Sequence, residues 1–372
     1  MNIEQYNDEL IELFTNLCKI PSATDHEDEK ASFIANWYAD NGLYDFEIDS
    51  VGNVLYFFGV KAYNPIHLFT AHMDTVFSQN TVLEPRVEDG VLYCPGSGDN
   101  TVNLAIMMMT VKYLSETGFE PPCGLIFAAD IGEEGLGNLK GIKAIVAEYG
   151  VRIEEMVALD LSYGTMINRA VGSKRYEISV TTNGGHAYHD FGNTNSIAVA
   201  AEIINGLYNQ RLPQDTETTY NIGRIEGGTG VNVIASSCKF IYEIRSTDSQ
   251  NIEFMDAVLS AVLESARGKG AVINAKLLGE RPCMGEIDKD KEQFLLDRAV
   301  SALDSSWWSD AGYRFDKTLV PGSTDCNITL SKGIPSICIG LAYSEGHHTL
   351  SEFTRLDSLI PGMKTLVKFI TE

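Results

Sequence analysis

Several histidine and carboxylate residues that could bind a divalent cation follow apolar runs in this 372-residue sequence. His72 and Asp74 lie in the segment FTAHMDTV, directly after the apolar run 66–71. Residues i and i+2 of an extended chain point the same way. The Asp74 carboxylate could therefore accept the second imidazole N–H of His72 and fix the tautomer of a ligating histidine. A polar pair at a strand end is the alternative, and H-x-D alone does not decide between them.

A pair of acidic residues, Glu133 and Glu134, follows the apolar run 124–129 in the turn IGEEGLGN. Adjacent side chains project differently, so one could bind a metal ion while the other acts as a general base on water. An exposed acidic turn is the simpler interpretation, but the apolar run that leads straight into the pair argues against it. Asp99 lies in the glycine-rich segment PGSGDNTVN, where its two oxygens could bridge two cations or cap the following helix.

Three further candidates lie beyond other apolar runs. Asp160 closes the run 156–159, and His347 and His348 lie in YSEGHHTLSEF after the run 336–340. Each could be an ordinary surface residue, but in open α/β sheets ligands bind at the carboxyl ends of strands. Carboxylates and histidines gathered there would form a nitrogen and oxygen site for two divalent ions. Zinc suits such ligands, with cobalt or manganese as alternatives.

Apolar runs alternate with helical patterns before residue 172 and again after residue 281, which predicts an α/β fold with a mostly parallel sheet and helices on both faces. Ser22 or Thr24 is a candidate cap for a helix at 27–38. Between these two parts, apolar and polar residues alternate as in half-exposed strands at 175–181, 218–226, 233–244 and 271–278. Helical patterns occupy 194–208 and 253–266. We therefore predict a catalytic metal-binding domain built from 1–171 and 282–372, with an inserted α+β domain at 172–281.

Composition narrows the classes of partner. The net charge of -23 argues against nucleic acid and anionic membranes, since both attract basic patches. The seven cysteines are scattered and contain no C-x-x-C pair, which argues against a disulfide framework or a thiolate zinc cluster. No signal peptide or membrane-spanning run is evident. We therefore expect a cytoplasmic protein.

The ordered set AHMDT, GDN, GEEG, LD, GGH, GGTGVNV, EIRS and GHHTLSE resembles the M20 family of metallopeptidases over essentially the whole chain. The resemblance implies a zinc-binding domain with an inserted four-stranded lid that mediates dimerisation in many members, and hence a homodimer. It also implies cleavage of amide bonds in small peptides. Asp160, where some relatives carry Glu, resembles the aminopeptidase side of the family.

The resemblance also implies which residues bind metal. His72, Asp99 and Asp160 would bind one ion, and Asp99, Glu134 and His348 the other, with Asp99 bridging. His348 is preferred to His347 because the family's ligand directly precedes a Ser or Thr position, here Thr349. One departure is Thr101, where relatives often carry Lys.

The remaining roles also come from the resemblance. Asp74 would orient His72, and Glu133 would be the general base. In the inserted domain, His186 would stabilise the oxyanion, while Asn232 and Arg245 would hold the carboxylate of the substrate.

Two other functions stay open. A deacylase of N-acyl amino acids would use the same metals and differ only in the shape of its pocket. A non-catalytic M20-like binding module would be marked by loss of the base or of a ligand, and every matched position is present. A nucleotide-binding α/β protein is disfavoured because the sequence lacks both G-x-G-x-x-G and a P-loop.

Overall fold

The computed structural model describes residues 2–214 and 217–372. The chain divides into two compact units, the first formed by Met1–Ala170 and Gly285–Glu372 and the second by Val171–Met284. These bounds lie within three residues of the domain boundaries predicted from the sequence.

The first unit combines eight α-helices with a large and a small sheet. Its helices are α1 (Asn7–Cys18), α2 (Asp28–Asp40), α3 (Val102–Thr117), α4 (Lys140–Tyr149), α7 (Lys289–Leu303), α8 (Ser306–Asp310), α9 (Cys326–Ser331) and α10 (Leu359–Thr371). The helices α5 (Ser196–Tyr208) and α6 (Ser249–Ala266) belong to the second unit.

Eight strands form the large sheet, in the order β1-β2-β6-β3-β7-β16-β8-β15. The four central strands, β6, β3, β7 and β16, run parallel to one another. The bounds are β1 (Phe46–Ile48), β2 (Val54–Phe58), β3 (Ile66–His72), β6 (Gly124–Asp130), β7 (Ile153–Leu159), β8 (Met166–Ala170), β15 (Leu319–Gly322) and β16 (Ser336–Ile339).

Helices cover both faces of this sheet. On one face Phe69, Phe127 and Val157 pack into a core that includes α1, α3 and α10. The alternate residues point to the other face, where Met156 contacts Thr329 of α9. Because both faces are buried, the strands have the near-continuous apolar character noted in the sequence. The predicted fold class is confirmed.

A second sheet in the first unit was not predicted. Its four short strands have the order β17-β18-β5-β4 and comprise β4 (Arg86–Glu88), β5 (Val91–Tyr93), β17 (Ser344–Glu345) and β18 (Phe353–Arg355). Strands of two or three residues have too little periodicity to be recognised in a sequence.

The second unit is an antiparallel sheet, in the order β11-β13-β9-β14, with α5 and α6 packed on one face. Its strands are β9 (Gly172–Thr181), β11 (Thr218–Gly227), β13 (Ser237–Ser246) and β14 (Val272–Arg281), with a separate pair β10 (Gly185–His186) and β12 (Val233–Ile234). The single strand predicted over 233–244 was therefore wrong, because β12 leaves the main sheet to pair with β10.

The predicted helix caps were also wrong. Helix α2 has Glu27 as its N-terminal cap, without a side-chain hydrogen bond. The hydroxyl of Ser22 donates instead to the carbonyl of Met73, and the hydroxyl of Thr24 donates to the Asp74 carboxylate. Both side chains therefore brace the segment that follows β3.

All seven cysteines are buried and unpaired. Within the described ranges, no helix combines the length and the apolar character needed to cross a bilayer.

Candidate metal centre

The site is built at the carboxyl ends of the central parallel strands. His72 is the last residue of β3, and Asp160 directly follows β7. The main-chain N–H of Asp160 donates to the carbonyl of Ile339 at the end of β16. Side chains that leave parallel strands at these ends meet at one edge of the sheet, which is where the sequence placed them.

The His72 imidazole is almost completely buried, with 2% of its surface exposed. Its Nδ1 lies 3.0 Å from the main-chain oxygen of Asp74 and 3.5 Å from the Asp74 carboxylate. The shorter contact places the proton on Nδ1 and the lone pair on Nε2. The main-chain oxygen of Asp74 thus makes the closer contact to the ring, in place of the carboxylate expected from the sequence.

The opposite ring nitrogen of His72 faces carboxylates. Nε2 lies 3.2 Å from Asp99 Oδ1 and 3.6 Å from Asp160 Oδ1, yet it has no hydrogen bond of acceptable geometry among the described residues. Burial disfavours a charged imidazole, but the contacts with Asp160, Asp74 and Asp99 outweigh it and raise the pKa of His72 well above its usual value. In this environment the ring is a cation or binds one.

The Asp99 carboxylate spans two imidazoles. Its Oδ1 faces His72 at 3.2 Å, and its Oδ2 faces His348 Nε2 at 3.2 Å. Burial opposes ionisation of Asp99, but its contacts with His348 and His72 hold its pKa well below the usual range. An ionised carboxylate with one oxygen toward each histidine has the arrangement of a bridging ligand.

The second histidine also contacts Glu134. His348 Nε2 lies 2.9 Å from Glu134 Oε1, and hydrogen bonds to Asp99 and Glu134 raise the pKa of His348 to about 10. The neighbouring His347 bonds through its Nε2 to the hydroxyl of Ser344, at 2.8 Å. The geometry therefore favours His348 over His347 as a ligand.

The carboxylate of Asp74 positions the Glu133–Glu134 turn. Its Oδ1 accepts the main-chain N–H of Glu133 and its Oδ2 that of Glu134, both at 3.0 Å, and Oδ2 also accepts the hydroxyl of Thr24. Both glutamate residues are buried, each with 6% of its surface exposed. Asp74 therefore connects the end of β3 to the turn that carries the predicted base and a predicted ligand.

These side chains fit a divalent cation. One ligand atom each from His72, Asp99 and Glu134 lies within 4.8 Å of the others, and all three residues are buried. Asp160 and Glu133 add two more buried carboxyl groups. Burying so many like charges together is costly unless cations compensate them. The donor set of imidazole nitrogens and carboxylate oxygens suits zinc and similar ions.

Glu352, the last residue of the segment GHHTLSE, was not predicted from the sequence to take part in the site. The residue is fully buried, and its carboxylate accepts the main-chain N–H groups of Gly96, Gly98 and Asp99, each at 2.8 Å. Burial raises the pKa of Glu352 to about 7, although these three donors favour the charged form. No periodic pattern reveals a contact across 250 residues.

A buried pair of carboxyl groups, Asp130 and Asp325, was also overlooked. Asp130 ends β6 beside His72 of β3. Burial and the charge of Asp325 raise the pKa of Asp130 well above its usual value, and burial raises that of Asp325 to about 6. Asp130 was visible in the sequence as the last residue of the apolar run GLIFAAD.

The other predicted residues, His186, Asn232 and Arg245, lie in the second unit. His186 Nδ1 accepts the main-chain N–H groups of Tyr188 and His189, at 3.2 and 3.3 Å. The neutral ring therefore carries its proton on Nε2, where it is a hydrogen-bond donor. The main-chain carbonyl of Asn232 accepts the main-chain N–H of Ala187, the residue after His186.

The Arg245 guanidinium is engaged within its own unit. Its Nε and Nη2 donate to the two oxygens of Glu243, at 2.9 and 3.1 Å, and Glu243 also accepts from Arg175. The bidentate pair uses two of the five N–H groups of the guanidinium, and the other three are on Nη1 and Nη2.

Comparison with known proteins gives a consistent family assignment. The model of peptidase family M20/M25/M40 matches residues 68–372. The chain is 28% identical over 383 residues to the uncharacterized protein YqjE of Bacillus subtilis strain 168, covering 98% of each.

Two solved structures share the fold. A tripeptidase of Staphylococcus aureus aligns with a TM-score of 0.76 at 22% identity, over 98% of this chain and 97% of that one. The YXEP protein of Bacillus subtilis, described as a dinuclear metal-binding peptidase of the M20 family, aligns with a TM-score of 0.65 at 19% identity, over 99% and 98%. The resemblance found in the sequence is thereby confirmed, and the chain belongs to peptidase family M20/M25/M40.

Proposed function

We propose that this protein is a hydrolase that uses two divalent metal ions to cleave amide bonds in short peptides. The observation that carries the proposal is the position of Asp99, whose two carboxylate oxygens each lie 3.2 Å from a different histidine. One ion would be held by His72, Asp99 and Asp160, and the other by Asp99, Glu134 and His348. When bound, such ions would polarise the scissile carbonyl and acidify the attacking water.

In this proposal Glu133 takes the proton from water and delivers it to the leaving amine. Its main chain is fixed by the Asp74 carboxylate, so the base and the adjacent ligand Glu134 keep a constant relationship. Adjacent side chains diverge, which separates the proton-transfer role from the metal-binding role.

The second unit would supply the remaining groups. His186 would donate a hydrogen bond from Nε2 to the oxyanion of the tetrahedral intermediate. The ring is suited to this role because its Nδ1 accepts hydrogen bonds, which leaves the proton on Nε2. Asn232 and Arg245 would hold a substrate carboxylate.

A substrate panel tests the proposal. Protein loaded with Zn²⁺, Co²⁺ or Mn²⁺ should hydrolyse di- or tripeptides, and removal of the ions with a chelator should abolish turnover. N-acetyl amino acids serve as the comparison, because a deacylase would use the same centre. Faster hydrolysis of N-acetyl amino acids than of every peptide would replace the peptidase proposal with the deacylase one.

We also propose that the second unit mediates a homodimer. The exposed apolar residues Ile225 and Val231 of this unit, which are 53% and 103% exposed, would be covered in such a dimer. Sedimentation analysis should show a dimer for the wild type and a monomer for Ile225→Glu. An Ile225→Glu variant that stays dimeric at the same concentration would place the interface elsewhere.

A further inference from the structure

A cavity of about 770 Å³ lies in the first unit, lined by the segment 78–86, by the residues 93–95 and by Leu350. This volume is within the range of pockets that bind small ligands. None of the candidate metal ligands lines this cavity.

Each segment that lines the cavity is close in the sequence to a candidate metal ligand or to Asp74. The segment 78–86 begins four residues after Asp74, residues 93–95 lead toward Asp99, and Leu350 follows His348 by two positions. The small sheet β17-β18-β5-β4 connects these segments. Strand β4 begins in the segment 78–86, and strand β5 ends in the segment 93–95. Strands β17 and β18 precede and follow the turn that carries His348. The cavity therefore adjoins the candidate metal centre through shared backbone.

A direct contact supports this continuity. A methyl group placed on Gly96 would lie 2.8 Å from the Thr75 side chain, so the loop before Asp99 packs closely on the residue after Asp74. The same Gly96 donates its N–H to Glu352, which also holds Asp99. The lining residue Pro95 and Asp99 thus lie in the same loop, which Glu352 holds through three main-chain hydrogen bonds.

The cavity combines apolar side chains with the polar residues Ser78, Asn80 and Thr81 and the carboxylate of Glu84. Val82 and Leu350, on different walls, are 72% and 74% exposed, and exposed large apolar residues beside a binding site favour apolar ligands. The one cation of the lining, Arg86, is paired with Glu88 at 3.0 Å and lies over the Tyr93 ring at 5.1 Å. Its charge is therefore already compensated.

From these relationships we infer that the cavity binds an aliphatic side chain of the substrate next to the bond that is cleaved, with Val82 and Leu350 as specificity-determining residues. The inference rests on the proposed amide hydrolase function. It predicts a preference for leucine-like over glycine-like residues at one substrate position, since burial of an apolar side chain in a fitted pocket discriminates by about tenfold or more.

The test compares kcat/KM for Gly-Gly-Gly with that for the three tripeptides carrying one leucine. Metal-loaded wild type should prefer leucine at one position by about tenfold. We call the kcat/KM for the preferred leucine peptide divided by that for Gly-Gly-Gly the leucine-to-glycine ratio. Leu350→Ser and Val82→Ser should each reduce this ratio about fivefold or more, because the leucine side chain of the substrate would bury less apolar surface in the cavity. Both residues are exposed, so the substitutions leave the core intact.

Leu136→Ser is the matched control. Leu136 is 56% exposed and follows the candidate ligand Glu134 by two positions, as Leu350 follows His348, but it does not line the cavity. Its substitution should leave the leucine-to-glycine ratio unchanged. Three outcomes would overturn the inference while leaving the hydrolase proposal intact. The leucine-to-glycine ratio could fall equally in Leu136→Ser, it could stay unchanged in Leu350→Ser and Val82→Ser, or the wild type could show no preference for leucine. A wild type that hydrolyses only N-acetyl amino acids would overturn the peptidase proposal, and the same variants would then be compared on N-acetyl-leucine and N-acetylglycine. A wild type that hydrolyses neither class overturns both.

Discussion

Glu352 holds Asp99 through the main chain: its Oε1 accepts the N–H of Asp99 and that of Gly98, both at 2.8 Å, and its Oε2 accepts the N–H of Gly96. The Asp99 carboxylate, the candidate bridging ligand, is therefore positioned by a second, buried carboxylate that lies four residues after His348. Two of the candidate ligands are thus connected through one side chain, although 249 positions separate Asp99 from His348 in the sequence.

Glu352→Gln should weaken metal binding. A glutamine has a single acceptor oxygen, so its amide group would face a main-chain N–H and loosen the Asp99 loop. We expect the affinity for Zn²⁺ or Co²⁺ to fall by about 10- to 100-fold, the usual effect of losing a residue that orients a ligand. Calorimetric titration of metal-free protein measures this. Glu345→Gln is the control, because Glu345 is the exposed residue of β17 in the same small sheet. Equal affinities in both variants would contradict the positioning role.

Replacing Glu133 and Glu134 separately should give opposite effects. Glu133→Gln removes proton affinity while keeping the shape of the side chain, so metal content should hold while kcat falls by roughly a hundredfold or more. Glu134→Gln should lower metal content, because an amide oxygen is a poorer ligand than a carboxylate. Elemental analysis and turnover on one peptide distinguish them. Loss of metal in Glu133→Gln with retention in Glu134→Gln would reverse the two roles.

The adjacent histidines make a matched pair for testing the second metal site. His348→Ala should reduce the metal content of reconstituted protein from about two ions per chain to about one, because it removes a ligand of one ion only. His347→Ala removes a ring that bonds to Ser344, so it should retain both ions. Asp99→Ala should lose the most, since it contributes to both sites. Full occupancy in His348→Ala would show that His348 is not a ligand.

A pH-dependent contribution to stability is expected at the opposite end of β3. His67 Nδ1 lies 3.0 Å from Glu155, whose oxygens also accept from Arg298 at 2.8 Å. Burial disfavours the charged ring, but hydrogen bonds with Cys123 and Glu155 prevail and raise the pKa of His67 to about 9. A raised pKa means that the native state retains a proton that the unfolded chain loses. The stabilisation is therefore complete below about pH 6.5 and disappears as the pH rises through 9.

This effect is measured by comparing the wild type with His67→Gln. The difference in free energy of unfolding should shrink by on the order of 1–3 kcal/mol between pH 6 and pH 10. Urea unfolding followed by tryptophan fluorescence is suitable, because Trp37, Trp307 and Trp308 all lie in the first unit. A difference that stays constant over this range would contradict the ion pair.

The sequence alone determined the fold class and the outline of the site. Long, buried parallel strands leave near-continuous apolar runs, and His72, Glu133 and Asp160 could be recognised because each follows such a run. The inserted unit was recognised by its change to alternating strands, a period-2 pattern that differs from the runs around it.

The tertiary structure decided the relationships between distant segments. Which of His347 and His348 faces Asp99 depends on a turn in which His348 adopts a left-handed backbone conformation, with φ of 63°. The bonds from Glu352 to the Asp99 loop, and from Asp74 to the Glu133–Glu134 turn, join segments far apart in the chain. Periodicity records only which face of an element is buried, whereas these contacts depend on how loops from different strands meet at one edge of the sheet. Local patterns therefore identified candidate ligands, and only the folded chain showed which residues contact them.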